Sequence, residues 1–180
     1  MMSHPLHKAV GATLRQLEQL VPGNLLLDQA CGGKQNIPLF LSNVKSNQTE
    51  CCNVDAMYIF DNKIKIVFEV EESNIKPTQI CGKLLTTMIS RFYIHNTSKN
   101  VAIEFDENAL FIQILDTSKL IYPYTSKPDQ FINIEAELVK TINNLKDSPI
   151  KKYKLLLGTS HDKYNSINDD LTEFIRSELT

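Results

Sequence analysis

The stretch that decides the fold is residues 53–71, NVDAMYIFDNKIKIVFEVE. Two β-rich runs, residues 54–60 and 63–71, flank Asp61-Asn62, a pair of residues typical of a tight hairpin turn. The sequence therefore predicts two antiparallel strands. Alternation in the second strand places one apolar set on the face that we expect to be core, Ile64, Ile66, Phe68 and Val70, and the remaining set on the other face, Lys63, Lys65, Val67, Glu69 and Glu71.

Three carboxylates interrupt these strands. Asp55 opens the first strand, while Glu69 and Glu71 lie two residues apart near the end of the second and so share a face. A carboxylate within a β-strand is costly to desolvate unless it is paired, hydrated or bound to a metal. With a strict two-residue loop Asp55 would face away from Glu69, so a shared site requires a three-residue connection or a β-bulge.

Carboxylates that converge in this way suit Mg²⁺ or Mn²⁺, which prefer oxygen ligands, keep bound waters and accept phosphate oxygens. A cation held by Asp55 and Glu69 would lower the pKa of a bound water and neutralise charge on a scissile phosphate. Glu71 would orient the nucleophile or hold a second metal. The residue types also fit an exposed acidic strand in an unrelated α/β domain, which would place Asp55 and Glu69 on different faces of the sheet.

Helices and strands alternate along the rest of the chain. Apolar spacing predicts helices over residues 5–21, 76–92, 134–145 and 169–179. We expect strands over 101–105 and 110–115, joined as a hairpin through 106–108, and a buried strand over 153–157. Residues 28–50 read as a long irregular connection in which 37–41 could hold a short strand or turn, and a turn is expected at Ser73-Asn74. This order predicts an α/β fold.

Length and composition fit one globular domain over residues 1–180, with 42% hydrophobic and 22% charged residues. The net charge of -2 gives no overall attraction to nucleic acid, so a site for it must be a local patch. No apolar run reaches the roughly 20 residues that span a bilayer, and no secretory signal is recognisable. We expect a cytoplasmic protein with no membrane partner, whose four unevenly spaced cysteines are reduced.

The residues of this hairpin and the helix after it resemble the core of the PD-(D/E)XK nuclease superfamily. The resemblance rests on Asn53-Val54-Asp55, on Phe68-Glu69-Val70-Glu71 and on Lys76-Pro77-Thr78-Gln79, and it covers about forty residues. In that superfamily an acid opens one strand, an acid-x-Lys triplet lies on the next, and a helix follows. The resemblance implies a restriction-endonuclease-like mixed central sheet flanked by helices, with Asp55 as the first acid and Glu69 as the second.

Glu71 stands where the superfamily usually has lysine, so the triplet resembles that of the Glu-x-Glu restriction endonucleases. In some members a residue of the following helix reaches the same space, and here Lys76, Gln79 and Lys83 are candidates. Gln79 and Lys83 lie four residues apart and share a helical face. Members often add an acid from the first helix, which makes Glu18 a candidate fourth ligand.

The resemblance implies a Mg²⁺-dependent or Mn²⁺-dependent deoxyribonuclease, of the restriction endonuclease kind. Its partner would be DNA, and a homodimer is expected because each active site cuts one strand and two-fold symmetry matches a palindrome. The alternative is an inactive module that keeps the fold and binds DNA or a protein. Glu72 alternates away from Glu71, and His4 and His7 lack an evident third ligand, so all three stay outside the predicted site.

Overall fold

The computed structural model describes residues 4–72, 75–120 and 125–179, and within these a mixed sheet of eight strands lies between helices. The helices are α1 (Pro5–Glu18), α2 (Pro77–Ile89), α3 (Lys127–Asn144) and α4 (Asn165–Leu179). The strands are β1 (Asn24–Leu27), β2 (Pro38–Phe40), β3 (Glu50–Asn53), β4 (Ala56–Phe60), β5 (Lys63–Glu71), β6 (Phe92–Tyr93), β7 (Ile103–Asp116) and β8 (Ile150–Gly158).

The sheet has the order β1-β4-β5-β7-β6-β2-β3, and β8 lies beside β7. The β5–β7 and β7–β8 pairs are parallel and the other pairs are antiparallel. One edge of β7 is shared, because β6 pairs with its beginning and β8 with its later part. The predicted α/β class and the mixed sheet flanked by helices are confirmed.

Both faces of the sheet are buried, which makes the molecule three layers thick. Apolar side chains of α1 and α4 cover one face, including Leu6, Val10, Ile167 and Leu171. Those of α2 and α3 cover the other, including Ile80, Leu84, Phe131 and Ile142. A carboxylate on either face of the central strands is therefore surrounded by protein, and it stays hydrated only near the ends of the strands.

The predicted hairpin of β4 and β5 is confirmed, with Asp61 and Asn62 both at positive φ as a tight two-residue turn requires. The pairing changes register between Tyr58 and Ile59, so that Lys65 is an extra, bulged residue in β5. Asp55 can face Glu69 across a two-residue turn only because of this bulge, as the alternation of side chains predicts.

The same bulge corrects the predicted faces of β5. Ile64 was expected on one face with Ile66 and Phe68, but it packs with Val67 in the core under α2 and α3. Ile66, Phe68 and Val70 pack on the other side, against α1 and α4. One extra residue reverses the facing of every side chain before it, because side chains alternate with a period of two.

The predicted hairpin through residues 106–108 is wrong, because β7 continues through them in one direction. The β5–β7 register moves from Ile64 opposite Phe105 to Ile66 opposite Leu110, so β7 bulges outward by three residues there. Asp106 anchors the bulge, since Lys65 Nζ lies 2.6 Å from its Oδ2 and its Oδ1 accepts the Asn108 N–H at 3.0 Å. A polar segment that suggested a turn is an insertion within a long strand.

Several element boundaries also differ from the predicted ones. Helix α1 ends at Glu18, short of residue 21, and α2 ends at Ile89 because Phe92 belongs to β6. The short strands β1, β3 and β6 were not predicted, since runs of two to four residues carry little periodicity. The turn expected at Ser73-Asn74 lies outside the described residues. No helix within the described part of the chain is long and apolar enough to cross a membrane.

Two helical glycines should respond in opposite directions to substitution by alanine. A Cβ at Gly11 would lie 2.0 Å from the carbonyl oxygen of Cys31, whereas a Cβ at Gly82 would meet no atom within 4 Å. We expect Gly11→Ala to lower the free energy of unfolding by about 1–3 kcal/mol through overpacking. Gly82→Ala should raise it by about 1 kcal/mol through helix propensity. Urea unfolding followed by circular dichroism measures both, and a shift of the same sign in the two variants would contradict this packing.

Candidate active site

A cleft of about 590 Å³ opens where the carboxyl end of β5 meets the start of α1 and one face of α2. It lies at the end of the sheet, so groups from both covering layers reach it. The residues that line it, which define the cleft below, are His4, His7, Asp55, Val70, Glu71, Glu72, Gln79, Gly82, Lys83 and Thr86.

Asp55 enters the cleft just before β4. Ala56 pairs with Phe68, so the register places Asp55 opposite Glu69, as the bulge at Lys65 makes possible. The Val70 N–H donates a hydrogen bond to Asp55 Oδ2 at 2.7 Å, which holds this carboxylate against the end of β5. Asp55 and Glu69 therefore belong to one site, and the alternative that placed them on different faces of the sheet is wrong.

Glu69 is a fully buried carboxylate at the floor of the site. Lys83 Nζ donates to its Oε2 at 2.9 Å, while its Oε1 is buried with no hydrogen-bond partner among the described residues. Burial raises the pKa of Glu69 well above its usual range, the neighbouring Asp55 raises it further, and Lys83 offsets part of the effect. An unpartnered buried oxygen next to a second carboxylate is a position that a cation would stabilise.

Lys83 is the helix residue that reaches the predicted carboxylates. Desolvation on its own would lower the pKa of Lys83, but Glu69, Asp55 and Glu71 outweigh it and the net pKa is raised. Lys83 is therefore an ammonium at neutral pH, able to donate hydrogen bonds but not to take up a proton.

Gln79 lines the cleft one helical turn before Lys83, as their four-residue spacing predicts. Its Oε1 accepts the backbone N–H of Lys76 at 3.0 Å and so closes the first turn of α2, which leaves its amide N–H groups for other partners. Lys76, the third helix candidate, is the exposed residue that caps α2 just before Pro77, and it does not line the cleft.

Glu71 lines the cleft beyond Glu69 and is partly buried. Burial raises its pKa, the positive charge of Lys83 lowers it in part, and Asp55 raises it again. A carboxylate with a raised pKa is a stronger base than a solvated glutamate. It is therefore suited to exchange protons with a water in the cleft.

His4, His7 and Glu72, which lie outside the predicted site, also line the cleft. The His7 backbone N–H donates to Glu72 Oε1 at 2.8 Å, and His7 Nδ1 lies 3.0 Å from the same oxygen. His4 Nδ1 lies 3.6 Å from Glu72 Oε2. Glu72 does turn away from Glu71, as alternation predicts, but the start of α1 lies on that side of the sheet.

Gln113 is a further buried residue beside the site. It pairs in register with Glu69 across β5 and β7, and its Oε1 accepts the Tyr153 hydroxyl at 2.9 Å. Its Nε2 is buried without a hydrogen-bond partner in the described part of the chain. A glutamine inside the apolar run Leu110-Phe111-Ile112-Gln113-Ile114-Leu115 is a sequence signal that could have indicated this position.

The predicted contribution of Glu18 is wrong. This residue ends α1, far along the helix from His4 and His7, and its Oε1 accepts the Leu25 N–H at 3.1 Å. It lines a small apolar pocket with Leu14, Leu17 and Val21 and does not line the cleft. The helix approaches the carboxylates with its first turn, because its later turns pack over the middle of the sheet.

Comparisons of this chain with protein-family models, with curated proteins and with solved structures found no match.

Proposed function

We propose that the cleft is the active site of a metal-dependent deoxyribonuclease, an endonuclease that hydrolyses phosphodiester bonds on a restriction-endonuclease-like fold. The observation that carries the proposal is the buried Glu69 carboxylate, which faces Asp55 and leaves one oxygen unpartnered in the described structure. A protein keeps such a costly group where its charge is used.

The donor set fits Mg²⁺ or Mn²⁺. Asp55, Glu69 and Glu71 offer only oxygen atoms, the ligands these cations prefer, and the open side of the cleft leaves room for waters and a phosphate. Crowding and burial raise the pKa of Glu69 and Glu71, which a divalent cation would reverse by favouring the ionised carboxylates. A bound cation would supply charge neutralisation at the phosphate and a lower pKa for the attacking water.

Three side chains of the cleft would bind the phosphate and accept the proton of the attacking water. The Lys83 ammonium contacts a non-bridging oxygen of the scissile phosphate, and the free amide N–H groups of Gln79 bind the same strand one helical turn away. Glu71 would accept a proton from the attacking water, because it is a partly buried carboxylate that lines the cleft beside Asp55. Lysine in the usual triplet position is thereby replaced by a lysine from α2, while Glu71 acts on the nucleophile.

Calorimetric titration with Mg²⁺ and Mn²⁺ tests the proposal, with plasmid cleavage followed in the same buffers. We expect wild type to bind the cation and cut, and Asp55→Asn to bind at least tenfold more weakly, as loss of a ligand or of its support does at other metal sites. Asparagine keeps an oxygen for the Val70 N–H, so the hairpin should survive. Asp147→Asn is the matched control, since this exposed residue precedes β8 at the opposite end of the sheet.

Each outcome of this experiment has a definite meaning. Cation binding without cleavage of any DNA would favour the alternative, an inactive nuclease-fold module that binds DNA or a protein. Absence of cation binding in wild type, or equal binding by Asp55→Asn, would overturn the nuclease proposal. The plasmid product also tests the proposed homodimer, because a dimer converts supercoiled DNA directly to linear DNA and a lone active site releases nicked circles.

A further inference from the structure

We propose that His4, His7 and Glu72 form a separate binding site for a borderline transition-metal ion such as Zn²⁺. The site goes beyond the nuclease proposal and does not depend on it. It lies on the α1 side of the cleft, whereas Glu69, Glu71 and Lys83 lie on the α2 side.

The three side chains converge from distant parts of the chain. His4 and His7 come from the start of α1, and Glu72 follows the end of β5, 65 residues from His7. One ligand atom from each lies within 4.8 Å of the other two. Two ligand atoms on a tetrahedral metal at about 2.0–2.2 Å lie roughly 3.4 Å apart. His7 Nδ1 lies 3.0 Å from Glu72 Oε1 and His4 Nδ1 lies 3.6 Å from Glu72 Oε2, so each imidazole faces one oxygen of the carboxylate at close to that separation.

The surroundings of these ligands are already ordered. His7 is buried, and the Glu72 side chain is 11% exposed. The two imidazole rings stand edge to face with their centroids 5.3 Å apart, which already places a nitrogen of each ring near the Glu72 carboxylate. His7 Nε2 lies 3.7 Å from Asp55 Oδ2, which is longer than a hydrogen bond, so no hydrogen bond ties the His7 ring to Asp55.

The charge around Glu72 also favours a cation at this position. Within residues 4–72, 75–120 and 125–179, the ion-pair partners found for Glu72 are His4 and His7, and neither carries the permanent charge of lysine or arginine. A divalent ion would supply that charge and order the exposed ring of His4, whose side chain is 44% exposed.

The ligand types decide which metal is expected. Two imidazole nitrogens and one carboxylate are a common set for Zn²⁺ and its neighbours, while Mg²⁺ prefers oxygen ligands and keeps its waters. Three protein ligands leave a fourth position, which the open cleft can fill with water.

Cobalt(II) is a suitable probe because its visible absorption reports tetrahedral coordination. The tag-free chain is titrated with Co²⁺, and Zn²⁺ or a hundredfold excess of Mg²⁺ is then added. We expect saturable 1:1 binding that Zn²⁺ displaces and Mg²⁺ does not, with affinity at least tenfold lower in His4→Gln and in Glu72→Gln. His161→Gln, which alters an exposed histidine after β8, is the matched control.

Asp55→Asn and Glu69→Gln distinguish this site from the carboxylate site, and both are expected to retain the cobalt spectrum. The proposal is overturned if wild type gives no saturable spectrum, if His4→Gln and Glu72→Gln bind as wild type does, or if only the Asp55 and Glu69 variants lose binding. His4 is partly exposed, so His4→Gln should fold, and circular dichroism checks that it does. Plasmid cleavage in Mg²⁺ is scored separately, so either proposal can fail without the other.

Discussion

Glu69→Gln is expected to abolish DNA cleavage and at the same time to make the folded protein more stable. The substitution removes the buried charge that the proposed cation needs, and the loss of roughly 4 kcal/mol of transition-state stabilisation corresponds to about a thousandfold in rate. Glutamine has nearly the same volume as glutamate, so the folded state loses a desolvated carboxylate without a change in packing. We expect the free energy of unfolding at pH 8 to rise by about 0.5–2 kcal/mol, as at other functional sites relieved of strain.

The raised pKa of Glu69 also determines whether the free energy of unfolding rises or falls with pH. Burial raises the pKa of Glu69 in the folded protein above the value of 4.5 in the unfolded chain. Between those two values the folded state holds a proton that the unfolded state has released, so the free energy of unfolding falls as pH rises through this window. Glu69→Gln should flatten that fall, and a smaller slope should remain because the pKa of Glu71 is raised as well.

Urea unfolding in metal-free buffer between pH 4 and pH 9 measures these slopes. Glu107→Gln, which changes an exposed carboxylate in the β7 bulge, is the matched control and should keep the wild-type slope. If Glu69→Gln were less stable than wild type at pH 8, or if it cut DNA at the wild-type rate, the role assigned to the buried carboxylate would be wrong.

Lys83→Met is expected to damage both cleavage and stability. Removal of one charged donor from a phosphate site costs about 10²–10³ in rate. It also leaves Glu69, which is 0% exposed, without its ion-pair partner, and because the Lys83 side chain is 37% exposed this should cost about 1–3 kcal/mol. The pKa of Glu69 should rise further without Lys83, so the stability loss should be larger at pH 8 than at pH 5, because the lower pH favours the uncharged carboxyl.

The double variant Lys83→Met/Glu69→Gln separates the two effects. Stability should return close to that of Glu69→Gln, because no buried charge is left unpaired, while cleavage should stay absent. Unfolding free energies of the four proteins in this cycle give the coupling between the two side chains. A coupling near zero would show that the 2.9 Å contact contributes nothing, and a double variant that cleaves DNA would remove Lys83 from the proposed site.

The bulge at Lys65 shows how far reasoning from the sequence reached into the site. Asp61-Asn62 predicted a two-residue turn, and counting residues from that turn showed that Asp55 and Glu69 could meet only through an irregularity. The structure contains both the turn and the irregularity. The consequence for Ile64 was missed, because the position of the bulge within β5 depends on pairing with β7 and on the ion pair between Lys65 and Asp106.

Glu18 and Glu72 show where local patterns stop being informative. Both are acidic residues beside apolar ones. Their positions in the sequence do not show whether the first or the last turn of α1 lies at the carboxyl end of β5. That choice follows from how the apolar face of α1 packs with α4 over β5 and β7, a contact between residues more than 150 positions apart. His4 and His7 were recognised as neighbours, but their partner Glu72 is distant in the chain and became visible only in the fold.

The sequence by itself determined the α/β class, the hairpin, the helix that carries Lys83 and the three strand carboxylates. Those features depend on alternation, helical spacing and turn chemistry, which act over a few residues and leave a readable pattern. The tertiary structure decided the sheet order, the continuous β7, the end of α1 that enters the cleft and the meeting of His4 and His7 with Glu72. These depend on packing between distant segments, where the free energy comes from burying whole faces against each other and no local pattern records the partner.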